Sequence, residues 1–564
     1  VSKPLMNRGQ FILPFRRPKI GDLFAGGGGM SEAIRIALGR DPDFAVNHNP
    51  DALSMHEANH PQTKHMIADV REVDPRLATE GEHLGYLHLS PDCCHHSQAK
   101  AGQPREHKIR ALAWVAVHWC GTVRPDVMTL ENVVQLLKWG RLIAKRDKAT
   151  GRVVRLDGTI AQVGERVPRE QQFLVPDPKH AGKTFERFVG ILRGLGYQVE
   201  WKADLACNKG APQARERLLI IARCDGKPIV WPEDTHAKIP EKGQKKWRAA
   251  AECIDFSLPS KSIFGRKKDL APATLRRIAA GIERFVMKSS NPFIVPLPED
   301  SARANQSFNA ATIASHAAGA QGAPVLIQMG YGERKGQAPR ALDITQPLGT
   351  VVAGGGKHAV ATAYLAQMNG GFNDLRGVPG RDLRQPFSTL TQKGSQQQLV
   401  SAHLLHLRNN CDARSLNEPL ATVSAQGQHH ALIECLLSQE QRGGAMRVAQ
   451  FLKSQGIEGV TGLEPVMVMI DGYCYAIVDI TLRMLVPREL FSAFGFPEDY
   501  IIDRGHDGRV FSATKQIRMA GNSVSPVWGA AFVRANLPHL ILPGTHAPGA
   551  RSRTGRGYSG RMAA

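Results

Sequence analysis

Residues 20–40 read IGDLFAGGGGMSEAIRIALGR, a short apolar run, four consecutive glycines and then helical apolar spacing. No other stretch constrains the fold so tightly. A strand must end where the glycines begin, and a helix must start where they stop. The same alternation continues to about residue 224. FAVNH (44–48), GYLHLS (85–90), VMTLEN (127–132) and RLLIIARC (217–224) read as strands. PDALSMHEANH, IRALAWVAVHWC and FERFVGILRGLGY read as helices. Strands alternating with helices predict a mostly parallel sheet covered on both faces. Ligands of such sheets sit at the carboxyl ends of the strands, where the polar and glycine-containing residues fall.

Glycines between a strand and a helix let a ligand approach the backbone with a helix N-terminus behind it, or they simply make a tight turn. No Lys-Ser/Thr follows Gly26–Gly29, so this is no phosphate loop. Ser31 stands where the last glycine of G-x-G-x-x-G belongs, so a nucleotide-like ligand without a required pyrophosphate is favoured. Asp69, at the end of MIADV, is either an acceptor for an adenine amino group or a surface aspartate.

Cys93, Cys94, His95 and His96 stand in consecutive positions of SPDCCHHS. Four adjacent residues cannot readily converge on one ion, since metal-ligand pairs are usually spaced, so no structural metal is expected. A cysteine past a strand end, in a polar loop, reads better as a nucleophile. Glu131 lies at the end of another strand in TLENV, and Arg215 and Arg217 precede a strand in PQARER. Singly each reads equally well as a site residue or as, in turn, a buried thiol, a helix-start carboxylate and a surface ion pair. Together they can attack, protonate and orient.

The net charge of +21 points to a polyanionic partner, most simply nucleic acid. With no run of about 18 apolar residues, no membrane span is expected. The basic N-terminus lacks the pattern of a signal peptide. Nine scattered cysteines fit reduced thiols in a cytosol-like compartment. Residues 141–182 are charged, with few periodic apolar positions, and read as an insertion or mobile loop. Residues 225–300 mix basic clusters with a helical stretch near 272–286. An internal repeat follows in QPLGTVVAGGGKHAV (346–360), QPFSTLTQKGSQQQLV (385–400) and EPLATVSAQGQHHALI (418–433). Each copy has Thr three residues after Pro (Thr350, Thr389, Thr422) and Gly five further (Gly355, Gly394, Gly427), which predicts hairpins. The tail 541–564 is Gly/Arg/Ser-rich, basic and expected to be disordered.

In this order the segments resemble those of the carbon-5 DNA cytosine methyltransferases, and the repeat-bearing middle resembles members seen in phages and prophages. DLFAGGGG is similar to the family's cofactor loop, SPDCCHHS to its nucleophile loop, LENV to its glutamate segment and PQARER to its arginine segment. RMLVPRELFSAFGFPEDY (483–500) and QIRMAGNSV (516–524) are similar to its two late motifs. The resemblance implies a Rossmann-like α/β fold of the S-adenosylmethionine-dependent methyltransferases, a mixed, mostly parallel sheet with helices on both faces. It also implies a large inserted, β-rich target-recognition region. The expected ranges are 1–224 and 481–540 for the catalytic domain and 225–480 for recognition. This chain departs from the pattern in three places. Asp92 intervenes after Pro91 and Cys94 replaces the usual Gln; counting back from Ser97 puts the nucleophile at Cys93. Asn47 takes the place of the ribose-binding acid. Residues 141–182 lengthen the path between the glutamate and arginine segments.

The implied reaction is methylation of cytosine carbon-5 in a specific sequence of double-stranded DNA, on a flipped base, by a chain acting as a monomer. Cys93 would attack carbon-6, Glu131 would bond ring nitrogen 3 and the amine, Arg217 would hold the carbonyl, and Arg215 would support Cys93 or the adduct. S-adenosylmethionine would lie against Phe24, Ala25, Gly26, Gly28, Gly29, Asn47, His48, Asp69, Val70, Asn522 and Val524. The alternatives are the same chemistry on tRNA, or a catalytically silent DNA-binding protein of the same fold.

Overall fold

The computed structural model describes residues 17–92, 106–296, 321–329, 333, 336–354, 357–367, 401–406, 412–415, 430–435, 439–470 and 473–542. Cys93 and Cys94, most of the second and third repeats, and the tail lie outside these residues. The described residues fall into two compact units. The first comprises Val1–Cys253, Gln346–Gly356 and Val486–Arg556, and the second comprises Ile254–Thr345 and Lys357–Leu485. Residues 225–253, expected with the recognition region, therefore pack in the first unit, and 481–485 in the second.

The first unit is built on a seven-stranded sheet. Its elements, in chain order, are β1 (Lys19–Leu23), α1 (Gly29–Leu38), β2 (Phe44–Asn47), α2 (Pro50–Asn59), β3 (Lys64–Ile67), α3 (Pro75–Thr79), β4 (Leu84–Leu89), α4 (His107–Arg110), α5 (Trp114–Thr122) and β5 (Val127–Asn132). After a small ladder of β6 (Leu142–Ala144) and β7 (Leu174–Pro176) come α6 (Lys183–Gly194), β8 (Gln198–Leu205) and β9 (Glu216–Arg223). The sheet order is β3-β2-β1-β4-β5-β9-β8. β1 to β5 run parallel, while β9 is antiparallel to both β5 and β8. The sequence reading located most of these strands but missed β8. QVEWKADL leaves Glu200, Trp201 and Lys202 exposed, so it reads as polar. It also joined α4 and α5 into one helix.

Both faces of the sheet are buried, and β9 shows why its sequence is continuously apolar. Leu218, Ile220 and Ala222 enter the core that holds Trp119, Phe188 and Leu192. Leu219 and Ile221 enter the opposite core, with Ile34, Trp528 and Phe532. Side chains alternate across a strand, so consecutive residues serve opposite layers. The second core shows how the C-terminal segment joins the sheet. α9 (Pro487–Phe494), α10 (Ala513–Asn522) and α11 (Pro526–Asn536) belong to the first unit, and α11 packs on α1. The intervening helices are α7 (Pro272–Ile282) and α8 (Gln439–Ser454) in the second unit.

That second unit is β-rich and antiparallel. Its main path runs Lys261–Ser262, Tyr473–Met484, His358–Gln367, Gln321–Gln328 and Val295–Pro296. Ile278 and Ile282 of α7 and Val448 and Leu452 of α8 share a core with Val325, Ala361 and Ile477 of these strands. A three-stranded antiparallel sheet joins 412–415, 401–406 and 430–435. The first repeat differs from the expected hairpin. Its second arm, from His358, pairs within the second unit, whereas Leu348 in its first arm bridges to Gln213 of the first.

Candidate active site

The order of the sheet reverses at β1, which lies between β2 and β4, and the crevice at such a reversal is the usual ligand position. The turn after β1 lies there. Phe24 has φ 60°, in the left-handed region a bulky residue rarely adopts, and Gly26 and Gly28 have φ 55° and 94°. The Ala25 amide donates to the Val46 carbonyl at 3.1 Å, which holds the turn to the end of β2. α1 begins at Gly29, its N-cap Gly28 supplies no capping side chain, and the Ser31 amide in its first turn bonds the Asp22 carboxyl.

The glycines have different reasons to be there. A Cβ on Gly28 would fall 2.2 Å from the Tyr500 hydroxyl, and one on Gly29 would fall 2.0 Å from Ser523 Oγ and 2.3 Å from the Val524 carbonyl. Both are filled by the C-terminal segment of the chain itself. At Gly26 the nearest such contact is 3.8 Å, to the Phe24 carbonyl, so this is the glycine with room beside it. Tyr500 donates to the Gly27 carbonyl at 2.7 Å, and Asn59 exchanges two hydrogen bonds with the Ile501 backbone, each 2.8 Å.

Behind the turn runs a buried polar line. Ser31 Oγ donates to Asp22 Oδ2 at 2.7 Å. Its oxygen is then the acceptor for His56 Nε2, 2.8 Å away, and His56 Nδ1 accepts from His65 Nε2 at 2.8 Å. One tautomer of each ring satisfies the whole line. Burial pushes the Asp22 carboxyl up to about 7 and holds His56 well below the usual imidazole range.

Beside the turn, Asn47 closes β2. Its side-chain oxygen accepts from the Asn49 amide at 2.9 Å, and Asn49 in turn caps α2 through the amides of Asp51 and Ala52. The Asn47 Nδ2 group is the part of that side chain suited to donate to a hydroxyl. His48 is exposed and Val70 is buried. Asp69 is held by a residue the sequence reading passed over. Arg71 donates its Nε to Asp69 Oδ1 at 2.9 Å and a second guanidinium nitrogen to the other oxygen, holding the carboxyl down to about 2.

At the end of β5, Glu131 is 7% exposed and faces Arg217, with Nε 2.9 Å from Oε1. Its neighbour Asn132 donates to the Pro91 carbonyl at 3.0 Å. Ser90 bonds the other way, its amide to the Leu23 carbonyl and its hydroxyl to the Phe24 carbonyl, each at 3.3 Å. The chain leading into SPDCC is thereby fixed between the glycine turn and the glutamate strand. Arg215 is turned elsewhere. It is 4% exposed, donates to the carbonyls of Val351 and Gly521 at 3.2 and 3.4 Å, and lies over the Phe494 ring at 5.0 Å. A Cβ on Gly521 would fall 2.3 Å from the Ala353 amide nitrogen. Residues 348–353 are thus gripped between PQARER and the last motif, which brings Val524 to Gly29 and leaves Asn522 exposed.

A doubly wound, mostly parallel sheet with an antiparallel edge, a glycine turn at its reversal and a glutamate–arginine pair beside it defines a Rossmann-like methyltransferase fold. Residues 18–143 and 175–271 match the family described as C-5 cytosine-specific DNA methylase. The Type II methyltransferase M.AgeI of Thalassovita gelatinovora is 25% identical over 228 residues, 39% of this chain and 43% of that protein. M.AquIA of Picosynechococcus sp. is 24% identical over 225 residues, 39% of this chain and 77% of that protein. The chain therefore spans less than half the length of the first of these relatives. Among solved structures, the S. pombe Dnmt2 methyltransferase aligns over 93% of this chain and 100% of that one, with 12% identity and a TM-score of 0.41.

Proposed function

We propose that the chain transfers a methyl group from S-adenosylmethionine to carbon-5 of cytosine in duplex DNA, through a covalent adduct with Cys93. The observation that carries this reading is the Glu131–Arg217 pair, set at the sheet edge where Asn132 pins the entry to the cysteine segment. Carbon-5 of cytosine is a poor nucleophile. Addition of the Cys93 thiolate to carbon-6 makes the ring an enamine, provided that nitrogen 3 gains a proton or a hydrogen bond as negative charge develops. Glu131 meets that demand when it bonds nitrogen 3 and the exocyclic amine, and Arg217 fits the base carbonyl while it keeps Glu131 oriented. Carbon-5 takes the methyl group as its bond to the donor's sulfonium sulfur breaks, leaving S-adenosylhomocysteine; the carbon-5 proton then leaves to a base and the carbon–sulfur bond to Cys93 breaks. A base inside a duplex must be unstacked first, at a cost of a few kcal/mol.

The cofactor residues fit the group. Gly26 has open space beside it at a turn that leads into the N-terminus of α1. The Asn47 amide group suits a ribose hydroxyl, and the Asp69 carboxylate stays ionised as an acceptor for an adenine amine. S-adenosylmethionine supplies an electrophilic methyl group there. Arg215, enclosed by Phe494, Val351 and Gly521, serves to position the segments around Arg217.

The test is substitution of each cysteine. Cys93→Ala abolishes methyl transfer to cytosine-containing duplexes, whereas Cys94→Ala largely retains it. Duplexes carrying 5-fluorocytosine trap the wild-type chain covalently, because fluorine cannot leave as a proton does. Full activity of Cys93→Ala, or no trapping, overturns the covalent reading; methyl transfer to tRNA and none to DNA overturns the substrate.

A further inference from the structure

The family match stops at residue 143 and resumes at residue 175, so the segment between them lies outside the match. Where the sequence leaves an insertion or a mobile loop open, the segment forms a folded knob. Ala144 and Leu174 are cross-strand partners, the Lys145 amide donates to the Phe173 carbonyl at 2.7 Å, and bridges join Arg146 to Val153 and Arg155 to Gln172. Val154, Ala161 and Val167 are buried inside it. The turn at 147–150 is closed by Asp147, which accepts from the amides of Ala149 and Thr150.

Its charge is unevenly used. Residues 141–182 contain nine Lys and Arg against five Asp and Glu. Asp147 and Asp157 are engaged in their own turns, Glu165 is paired with Arg155, and Asp177 with Arg141 and His180; Glu170 is exposed. On the cationic side Lys148, Arg166 and Lys179 are exposed and form no ion pair among the described residues. The knob leaves the sheet just after Glu131 and is tied to the helix that follows the cysteine segment: Arg110 donates to the Gly140 carbonyl at 3.1 Å, and Arg169 lies 3.5 Å from His107.

We propose that this knob grips the phosphate backbone of the DNA duplex next to the reacting base, through Lys148, Arg166 and Lys179. The inference rests on the DNA reading above and adds the surface that meets the flanking duplex. Exposed cations on a folded element that leaves the sheet just after Glu131 suit a regularly spaced polyanion. Bonds to phosphate fix register without reading sequence, and their loss is read in the salt dependence.

The experiment uses the full chain and a target-containing duplex. In K148E/R166E/K179E the slope of log affinity against log salt concentration becomes shallower by about 0.9 for each phosphate no longer neutralised, so by about 2.7 if all three side chains touch phosphate. Ethylation of phosphates flanking the target weakens wild-type binding at positions that no longer matter for the variant. A second variant replaces residues 145–173 by a two-residue turn, which the Ala144–Leu174 pairing accommodates. It keeps Lys179 and so loses about 1.8 of that slope, the share of Lys148 and Arg166, while its binding of S-adenosylhomocysteine, measured by calorimetry, is unchanged. Wild-type binding with an unchanged slope in both variants overturns this inference and leaves the DNA reading intact. A wild-type chain that shows no salt-dependent binding to duplex DNA, or binds duplex RNA instead, overturns both.

Discussion

Asp22 is a carboxyl with no exposure, at the end of a line that runs through Ser31 and His56 to His65. Its folded-state value near 7 lies above the unfolded value of 3.8, because burial disfavours the charged form. The folded state therefore holds a proton that the unfolded chain releases. Stability associated with Asp22 is present below about pH 4 and declines as pH rises to about 7, by at most on the order of 4 kcal/mol. Asp22→Asn keeps an acceptor for Ser31 and removes the charge. Thermal melting of variant and wild type between about pH 4 and 8 should show the variant gaining relative stability up to about pH 7 and holding it beyond. Parallel curves across that range would refute the assignment. At this scale the sequence was only partly informative. Arg215 and Arg217 are identical cations two positions apart, yet one is enclosed against Phe494 and the other meets Glu131. Which does which depends on segments more than a hundred residues away. The Arg71 clamp on Asp69 is local, but no periodicity or motif marks it.

At the scale of elements, the glycine turn and the late FGFPEDY segment are one structure. Gly28→Ala places a side chain at φ 94° and 2.2 Å from the Tyr500 hydroxyl. The left-handed backbone alone costs about 1–2 kcal/mol for a non-glycine residue. Tyr500→Phe removes the bond to the Gly27 carbonyl, which costs about 1 kcal/mol by itself. It also removes the oxygen that the introduced methyl group would strike. The double variant is therefore expected to be less destabilised than the sum of the two singles by about 1 kcal/mol, as measured by urea unfolding. Strict additivity would show that the clash is relieved in some other way. Elements with an apolar period were legible: β1, β4, β5 and β9 follow from their runs of buried residues, and α1 from its spacing. Edge and insertion strands were not. β8 alternates too many polar residues to stand out, and β6 and β7 are three residues each. The antiparallel turn of β9 is a property of connection and leaves no mark in its residues.

At the scale of the whole molecule, the chain passes between its two units at 253–254, 345–346, 356–357 and 485–486. The short middle visit, Gln346–Gly356, lays Leu348 beside Gln213 and gives the carbonyl of Val351 to Arg215. The consequence is genealogical. A module bounded by two junctions could be exchanged between relatives as a cassette, by one recombination event. Here such an event would also import a foreign strap and lay it against the recipient's PQARER and GNSV segments. Chimeras that exchange 254–485 while keeping the native 346–356 should fold and keep methyl-transfer activity more often than chimeras exchanging the whole interval, scored by soluble yield and activity on the donor's target. Equal success of the two designs would show the strap to be interchangeable. If the strap matters, a productive trade of the second unit is one that leaves the native 346–356 behind.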